Sequence, residues 1–337
     1  MKKSILIAIV VCLAFTGPIA CKKAVGPEVG PARAEALLNL LPRESQGVVV
    51  VDVHRGMALD VVRKALVEDD AAEKYTEFVA MTGIDPKEDI FALAFAVMGP
   101  LSADDMEGAA VVDMRFDRDK ILAKLREEVA ELRETSYEGI ALYSWIEKEG
   151  DGKPAFGAVL DENHIVIGSE YGVKSVIDVS KKKTEPLSKN AELAAVIKTV
   201  NKNALLWSAF LIPKDAVEEA AEGNPMMASL EGLKSLSLHF DYQNKAMNAE
   251  IKAMGGTADQ NKQLADMLGG FKAMIGLGAS TEPGLPELLN AIEISSSAEF
   301  IKISASIPDE LMDKLSKSAQ EKVGALAAPK DDDEYDF

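Results

Sequence analysis

The sequence predicts an α+β fold in which antiparallel, twisted sheets carry helices packed mainly on one face, in two related halves. Three observations lead to this prediction. Apolar residues alternate between a two-residue and a 3.6-residue period along the chain. Four β-like runs pass almost directly into amphipathic helices, and two pairs of neighbouring runs have the pattern of hairpins. With 47% hydrophobic residues, the chain can bury a sizeable core.

Two of the four strand-to-helix units, both in the second predicted half, share a local device. In the last two units, Pro213 and Pro308 follow an isoleucine at the end of the strand. Proline is tolerated in the first helical turn, where its missing N–H has no intrahelical partner. We therefore predict a helix after each of four strands, and these strands are 47–53, 109–116, 205–212 and 299–307.

Two hairpins and one central strand follow from the alternation of side chains. The hairpins pair 155–160 with 164–168, and 234–242 with 246–254. In 236–242, apolar residues alternate with polar ones, which predicts a sheet that is wet on one face. The run 91–97 alternates large apolar residues with alanine, so we expect a strand buried on both sides near the centre of a sheet.

Polar segments divide the chain. The stretch from 180 to 188 predicts a solvated linker between a first half at 35–183 and a second half at 188–320. Residues 21–34 contain Val-Gly-Pro twice and predict a flexible tether. Residues 325–337 end in an aspartate-rich run that cannot bury much apolar surface, so we predict a disordered acidic tail.

The first twenty residues have the order of an export signal. A charged start is followed by an apolar run over 5–15, and Gly17 and Pro18 break that run before Ala20. The run is shorter than the roughly 20 residues that cross a bilayer core. We therefore predict that residues 1–20 are a signal peptide and not a permanent membrane helix.

The residues Ile19, Ala20 and Cys21 resemble a bacterial lipobox. The resemblance implies that Cys21 is lipidated and becomes the first residue of the mature chain, anchored in a membrane of the cell envelope. Pro18 departs from the lipobox pattern, in which leucine is usual. Lys22 implies, within this class, transfer toward the outer membrane where the host has one. The alternative is a secreted protein in which the cysteine occurs by chance.

Charge and cysteine content agree with an exported chain that does not bind nucleic acid. The other cysteine, Cys12, lies in the predicted signal, so the mature chain cannot form an intramolecular disulfide. Loss of Lys2 and Lys3 with the signal leaves 35 basic and 55 acidic side chains, a formal charge of −20. That charge repels nucleic acid and anionic lipid surfaces.

Five stretches of the mature chain share a recognisable pattern, and they are Leu41-Pro42, 82–86, 167–169, 257–275 and 286–307. With these stretches the chain resembles a loosely defined class of uncharacterised bacterial envelope lipoproteins, built from duplicated strand and helix units. The resemblance covers nearly the whole mature chain and implies architecture and location, with no assigned chemistry.

The sequence holds no recognised catalytic, phosphate-binding, cofactor or metal-binding motif, so we expect no enzyme activity and no cofactor. The strongest catalytic candidates are Asp52 and His54, two residues apart on one predicted strand, with Asp113 in a similar context. If their strands were neighbours in register, the three groups would converge as the site of a hydrolase. The alternative is that they lie on a wet face. A zinc site formed by His54, His164 and His239 is a weaker hypothesis.

A glycine-rich helix predicted over 257–278 carries a broad apolar stripe. Its pliable face predicts the lining of a hydrophobic-ligand cleft, although such a face is more often core. The residues concerned are Leu264, Met267, Leu268, Phe271, Met274 and Ile275. Together these observations predict a non-enzymatic envelope lipoprotein, exported across the inner membrane, that binds an envelope protein or acts structurally. The first alternative is a carrier of lipid or another hydrophobic ligand.

Overall fold

The computed structural model describes residues 31–66, 69–99, 107–129, 131–146, 152–214, 230, 232–278 and 283–327. The predicted signal peptide and Cys21 lie outside these residues. All twelve strands in the described ranges belong to one antiparallel sheet. They are β1 (Gly47–Asp52), β2 (Ile90–Met98), β3 (Glu107–Met114), β4 (Arg133–Tyr137), β5 (Ile140–Ile146), β6 (Pro154–Val159), β7 (His164–Gly168), β8 (Leu206–Leu211), β9 (Ser235–Gln243), β10 (Ala246–Met254), β11 (Ile292–Ser296) and β12 (Phe300–Pro308).

The strand order is β11-β12-β10-β9-β8-β1-β2-β3-β7-β6-β5-β4. The two parts of the chain therefore meet at the pair β1 and β8, where Val50 lies opposite Trp207. The strands β1 to β7 form one flank of the sheet, and β8 to β12 form the other. The sequence predicted separate sheets, but this central pairing joins them into one.

Ten α-helices surround the sheet in the part of the chain that the structure describes. They are α1 (Pro31–Leu38), α2 (Val53–Met57), α3 (Asp60–Ala65), α4 (Asp69–Thr82), α5 (Arg118–Glu128), α6 (Glu170–Ser180), α7 (Ala191–Ile197), α8 (Ala258–Gly278), α9 (Leu285–Ala291) and α10 (Asp309–Ala327).

Both faces of the first flank are covered. The first face, which carries Val48 and Val50 of β1, packs on α1, α6 and α7 through fully buried residues such as Leu37, Val173 and Leu193. The second face packs on α2, α4 and α5, with Val53 and Met57 at its core, and a smaller cluster around Trp145 extends it. Strands that are apolar on both sides need cover on both sides, so the expected arrangement with helices on one face does not describe this flank.

The second flank is less completely covered. Helices α8, α9 and α10 contact β11 and β12, where Leu264, Ile301 and Met312 are buried. Apolar side chains of β9 that point to the second face, such as Leu236, Leu238 and Phe240, remain half-buried.

The predicted class is confirmed as a mixed α+β fold with an antiparallel sheet. Both hairpins form, as β6 with β7 and β9 with β10. The predicted central strand is β2, which lies between β1 and β3 and is mostly buried. A helix follows β12 directly after Pro308, as predicted, whereas residues 215–220 after Pro213 lie outside the described ranges.

Two segment boundaries differ from the sequence prediction. The predicted tether 21–34 overlaps α1, because Leu37 and Leu38 draw the preceding turn onto the sheet. Helix α10 continues through 325–327, inside the predicted acidic tail, and residues 328–337 lie outside the described ranges.

The predicted linker at 180–188 is partly buried. Leu187 is fully buried in the first-face core, and its N–H donates to the Leu41 carbonyl at 2.7 Å. An apolar side chain in a polar run therefore fixes the junction between the two predicted halves.

Candidate functional sites

A row of ionisable residues crosses the sheet at the end where β1 stops and β2 starts, here called the upper edge. Asp52 lies opposite Ala92, Ala92 lies opposite Asp113, and Asp113 lies opposite His164. Asp241 continues the row on the other flank, one residue beyond the pair that joins β8 and β9. The side chains of all three aspartates are buried.

Asp52 ends β1 and caps α2. Its carboxylate accepts a hydrogen bond from the Arg55 N–H at 3.0 Å, which satisfies one of the free donors of the helix start. Burial raises the pKa of the Asp52 carboxyl, and the N–H and guanidinium of Arg55 together with His54 offset this only in part. Asp52 is therefore the N-cap of α2, and its carboxyl is partly removed from solvent. The end of β1 sets its position.

Arg55 connects the two flanks of the sheet. Its Nη1 donates to the Asn203 carbonyl at 2.6 Å and lies 3.6 Å from Asp52 Oδ2, while Nη2 lies 3.4 Å from Asp241 Oδ1. The guanidinium presents several donors in a fixed fork, so one side chain serves all three acceptors. Two buried carboxylates of different strands thus share one cation.

Asp113 has a different counter-ion. Its Oδ2 lies 2.6 Å from Nη1 of Arg33, which comes from the first turn of α1. The same guanidinium stands 4.4 Å from the ring centroid of Phe91, and Arg115 approaches that ring at 5.7 Å. Cation–π contacts add to the ion pair at this point. Two arginines, one on each side of β2, therefore pair with the three aspartates of the row.

His54 does not share a strand face with Asp52, because β1 ends at Asp52 and His54 belongs to α2. Its ring centroid lies 6.1 Å from that of Phe91, and Nδ1 is buried without a hydrogen-bond partner among the described residues. The sequence hypothesis placed both residues on one strand, and the helical turn at Val53 separates them.

Asp52, His54 and Asp113 do not assemble into a catalytic group. The strand β2 lies between the two aspartates, so their backbones are roughly 10 Å apart at two strand spacings. A shared proton or a mutually raised pKa requires carboxylates in close contact. Asp52 pairs with Arg55 and Asp113 with Arg33. The condition for convergence, that the two strands are neighbours, is therefore not met.

The enclosed space beside Asp52 is small. A cavity of about 40 Å³ lies among the side chains of Ala34, Asp52, Arg55, Asn203 and Trp207 and their neighbours. A void of this size holds at most a few waters, since one water needs roughly 10–15 Å³ on this measure. The cavity therefore has room to hydrate the Arg55 network and no room for a metabolite or an acyl chain.

The three histidines are widely separated. His164 starts β7, where its Nδ1 lies 2.8 Å from Asp161 Oδ1, and His239 is on β9, five strands away in the sheet. Burial lowers the pKa of His239, against the opposing charge of Glu250. At about 4.8 Å per strand, the three imidazoles lie too far apart to bind one zinc ion. Among the described residues, no group of three or more candidate ligands is placed to hold a metal.

The six residues predicted to line a hydrophobic cleft do not face one cavity. Leu264 is buried, whereas Met267, Leu268 and Phe271 are half-buried on α8. Met274 and Ile275 are 60% and 50% exposed near the end of the helix. The stripe therefore begins as core and ends in solvent.

Part of the chain matches the model of a protein family of unknown function. Residues 116–274 match the model of a family described as "Protein of unknown function (DUF3352)". The match begins just before α5 and ends within α8, so it crosses the junction of the two flanks. No curated protein matches the chain.

Two solved structures are similar in backbone path, namely crystal forms IV and III of TP0453. They are 10% and 12% identical to this chain, with a TM-score of 0.44 in both cases. The alignments cover 83% of this chain and 96% and 97% of the two TP0453 chains. At this TM-score the similarity supports no functional conclusion.

Sequence reasoning missed Arg33, Arg55 and Asp241 as members of the polar row. Asp241 was expected on a wet face, but it is buried beside Arg55. Its pairing with a residue 186 positions away leaves no local pattern that could reveal it. The only available signal was an aspartate at the alternating position of a strand, which is common on solvated sheets.

Among the described residues, no helix combines the length and the apolar composition that are needed to cross a membrane.

Proposed function

We propose that this chain is an exported lipoprotein of the cell envelope, anchored through lipid at Cys21, that acts by binding or by structural interaction. The observation that carries the proposal is the order of the N-terminal residues, with a charged start, an apolar run and small residues before Cys21. In a host with two membranes, Lys22 favours the outer one.

The start of the fold supports this arrangement. Helix α1 begins at Pro31, and Arg33 fixes its first turn to Asp113 at the upper edge of the sheet. Ten residue steps lead from Cys21 to Pro31, and at full extension they span roughly 35 Å. A lipid at Cys21 therefore keeps this edge of the protein within reach of the bilayer.

A role in binding or structure, and not in catalysis, is supported by the polar row. The buried carboxylates are held by Arg33 and Arg55, and the cavity beside Asp52 holds only water-sized groups. The broad twelve-stranded sheet and its helices provide a surface that a partner can bind. Because the chain is proposed to lie in the cell envelope, an envelope protein is the expected partner.

Mass spectrometry of the native protein, extracted from its own membrane, tests the anchor directly. We expect a mature chain that begins at Cys21 and carries the added mass of acyl chains. Replacement Cys21→Ser is expected to leave an unprocessed precursor. A mature chain that starts at Cys21 without acyl mass would show the proposal to be wrong.

Cross-linking in intact cells, followed by capture of this chain, tests the binding role. We expect a specific envelope protein in the cross-linked fraction of the acylated wild type. Replacement of exposed residues on the two flanks then identifies the contacting surface. Recovery of only the uncross-linked monomer at native abundance would contradict a binding role.

A carrier of hydrophobic ligands is the alternative, favoured by the half-buried apolar residues of β9, which include Leu236, Leu238 and Phe240. Apolar side chains that remain accessible on a sheet suit an acyl or other apolar ligand. The same native extraction decides between the two roles, because a carrier releases a bound lipid in stoichiometric amount. An extract without such a lipid would favour the interaction role.

A further inference from the structure

The two flanks of the sheet repeat one order of elements. Counted outward from the joint between β1 and β8, the first flank runs β1-β2-β3-β7-β6 and the second runs β8-β9-β10-β12-β11. In both flanks the third strand is followed along the chain by a helix, α5 or α8, and the fourth strand by another, α6 or α10. The hairpin of β4 and β5 is an addition to the first flank. The matching order indicates two copies of one unit.

The pairing register places a two-fold axis at the centre of the joint. The strands β1 and β8 are antiparallel, and Val49 lies opposite Ser208. Twelve residues before each member of this pair come Leu37 in α1 and Val196 in α7, and both are buried in the first-face core. The same alignment matches three further pairs of buried residues, namely Ala34 with Leu193, Leu38 with Ile197 and Leu41 with Val200. Equivalent positions therefore meet on both sides of the joint, as in an isologous dimer interface.

Side-chain volumes at the joint fit only when one flank of each kind is present. Gly47 lies opposite Phe210, and a Cβ on Gly47 would overlap the Phe210 ring. On the other side of the axis, the equivalent pair is Leu206 with Val51. Two first flanks would place Gly47 opposite Val51 at both ends of the joint and leave gaps. Two second flanks would crowd Phe210 against Leu206 at both ends, so the joint selects unlike flanks.

Charge at the joint favours the same pairing. Arg55 of the first flank lies 3.4 Å from the carboxylate of Asp241 in the second. In the matching registers of the two flanks, Asp241 corresponds to Met98, which is fully buried. A first flank paired with another first flank would therefore leave Arg55 without this carboxylate. Volume and charge both make the two copies complementary to each other and not to themselves.

We infer that the joint between β1 and β8 is a dimer interface between two diverged copies of one unit, and that the partner it fits is the opposite flank of a second copy of this chain. Within one chain the connection 181–190, from the end of α6 to the start of α7, keeps the two flanks together. Lys182 has a left-handed φ of 59° in the turn that ends α6. Without that turn the connection cannot fold back, so two chains exchange flanks and rebuild the same interface.

Deletion of 181–184, which are exposed, tests the inference. The chain from residue 22 on contains no cysteine, so the test does not depend on the anchor. Val51→Cys and Leu206→Cys lie opposite each other across the joint, within reach of a disulfide. With the natural connection, we expect a monomer in which oxidation forms the bridge within one chain. With the deletion, light scattering is expected to show a dimer, and oxidation to link its two chains.

Two controls accompany the deletion. Insertion of a short Gly-Ser stretch at the same site lengthens the connection and is expected to leave the monomer and its intrachain bridge unchanged. Ser136→Cys with Ala141→Cys, which lie opposite each other within the first flank, is expected to form an intrachain bridge in every background. A deletion variant that stays monomeric would overturn the inference. A dimer whose joint cysteines bridge within each chain would overturn it as well.

A second set of variants with the natural connection decides the question if the deletion does not fold. Gly47→Leu alone is expected to lower the thermal midpoint, because its side chain overlaps Phe210. Gly47→Leu with Phe210→Val turns this pair into a copy of its equivalent, and we expect most of the midpoint to return. Gly47→Leu with Leu206→Val changes the other side of the axis and should bring no recovery. If the Phe210 double variant is no more stable than Gly47→Leu alone, the two sides are not equivalent and the inference is wrong.

Discussion

Arg55 Nη2 lies 3.4 Å from Asp241 Oδ1, although 186 residues separate the two along the chain. The contact joins the short helix after β1 to β9 and so bridges the two flanks of the sheet. The Asp241 side chain is only 4% exposed, and a buried carboxylate without a counter-charge is costly. The pair therefore makes the stability of one flank depend on a side chain of the other.

Replacement Arg55→Ala is expected to lower the free energy of unfolding by about 1–2 kcal/mol, because the buried carboxylates of Asp52 and Asp241 lose the positive charge of the guanidinium. The expected loss of stability is modest because the Arg55 side chain is 38% exposed, so water replaces part of the lost interaction. Urea denaturation at neutral pH measures the change.

Arg63→Ala is the matched control for this experiment. Arg63 pairs with Asp60 within one helix, and its side chain is 43% exposed. Removal of such a surface ion pair is expected to cost less than about 0.5 kcal/mol. Equal effects of the two substitutions would show that Arg55 is no more than a surface residue.

The stability contribution of Asp52 is expected to depend on pH in a defined direction. Its folded-state pKa is raised above the ordinary value of 3.8, so the folded protein holds the proton more tightly than the unfolded chain. The associated stability is fully present below pH 3.8 and is lost as pH rises through the folded pKa. Asp52→Asn, whose amide oxygen still caps α2, should therefore gain stability relative to wild type between acid and neutral pH.

Denaturation of wild type and Asp52→Asn at a series of pH values, starting in the acid range, measures this difference. The amide variant keeps the acceptor for the Arg55 N–H, so the cap itself is matched in both proteins. A difference that stays constant, or that moves against the variant as pH rises, would contradict the assignment of Asp52 as a desolvated carboxyl.

Replacement Gly172→Ala is expected to destabilise the protein by about 1–3 kcal/mol, as overpacking does in a tight core. A Cβ at Gly172 would stand 2.6 Å from the Gly108 carbonyl carbon, and this is backbone that cannot rotate away. The control is Gly269→Ala in α8, where nothing lies within 4 Å of the new Cβ. That change should stabilise by up to about 1 kcal/mol through helix propensity. Thermal unfolding distinguishes the opposite signs.

Replacement Leu187→Ala is expected to cost about 2–5 kcal/mol, which is the range for large-to-small substitution in a core. Leu187 is fully buried although it lies in a polar run between the two predicted halves. Ile146→Ala is the control, because Ile146 is 43% exposed and its truncation should cost less than about 0.5 kcal/mol. Equal midpoints in urea would mean that the junction is a linker and does not belong to the core.

Local patterns predicted much of the fold. The alternation along β9 and β10 identified a hairpin, and the Ile-Pro junction at Pro308 identified the start of α10. These features depend on residues that are close in sequence, where period and turn chemistry act. The pairing of Val50 with Trp207, which merges the two flanks, depends on residues far apart, and no local pattern encodes it.

The α+β class and the two hairpins follow from local sequence, because backbone preference and apolar period act over a few residues. The sequence also provides the whole basis for the predicted anchor at Cys21. The partners of the buried aspartates, in contrast, depend on tertiary structure. Asp52 and Asp113 share a row but are separated by β2, and Arg55 pairs across the flanks with Asp241. Strand order and register determine which charges meet, and both arise from contacts between distant segments.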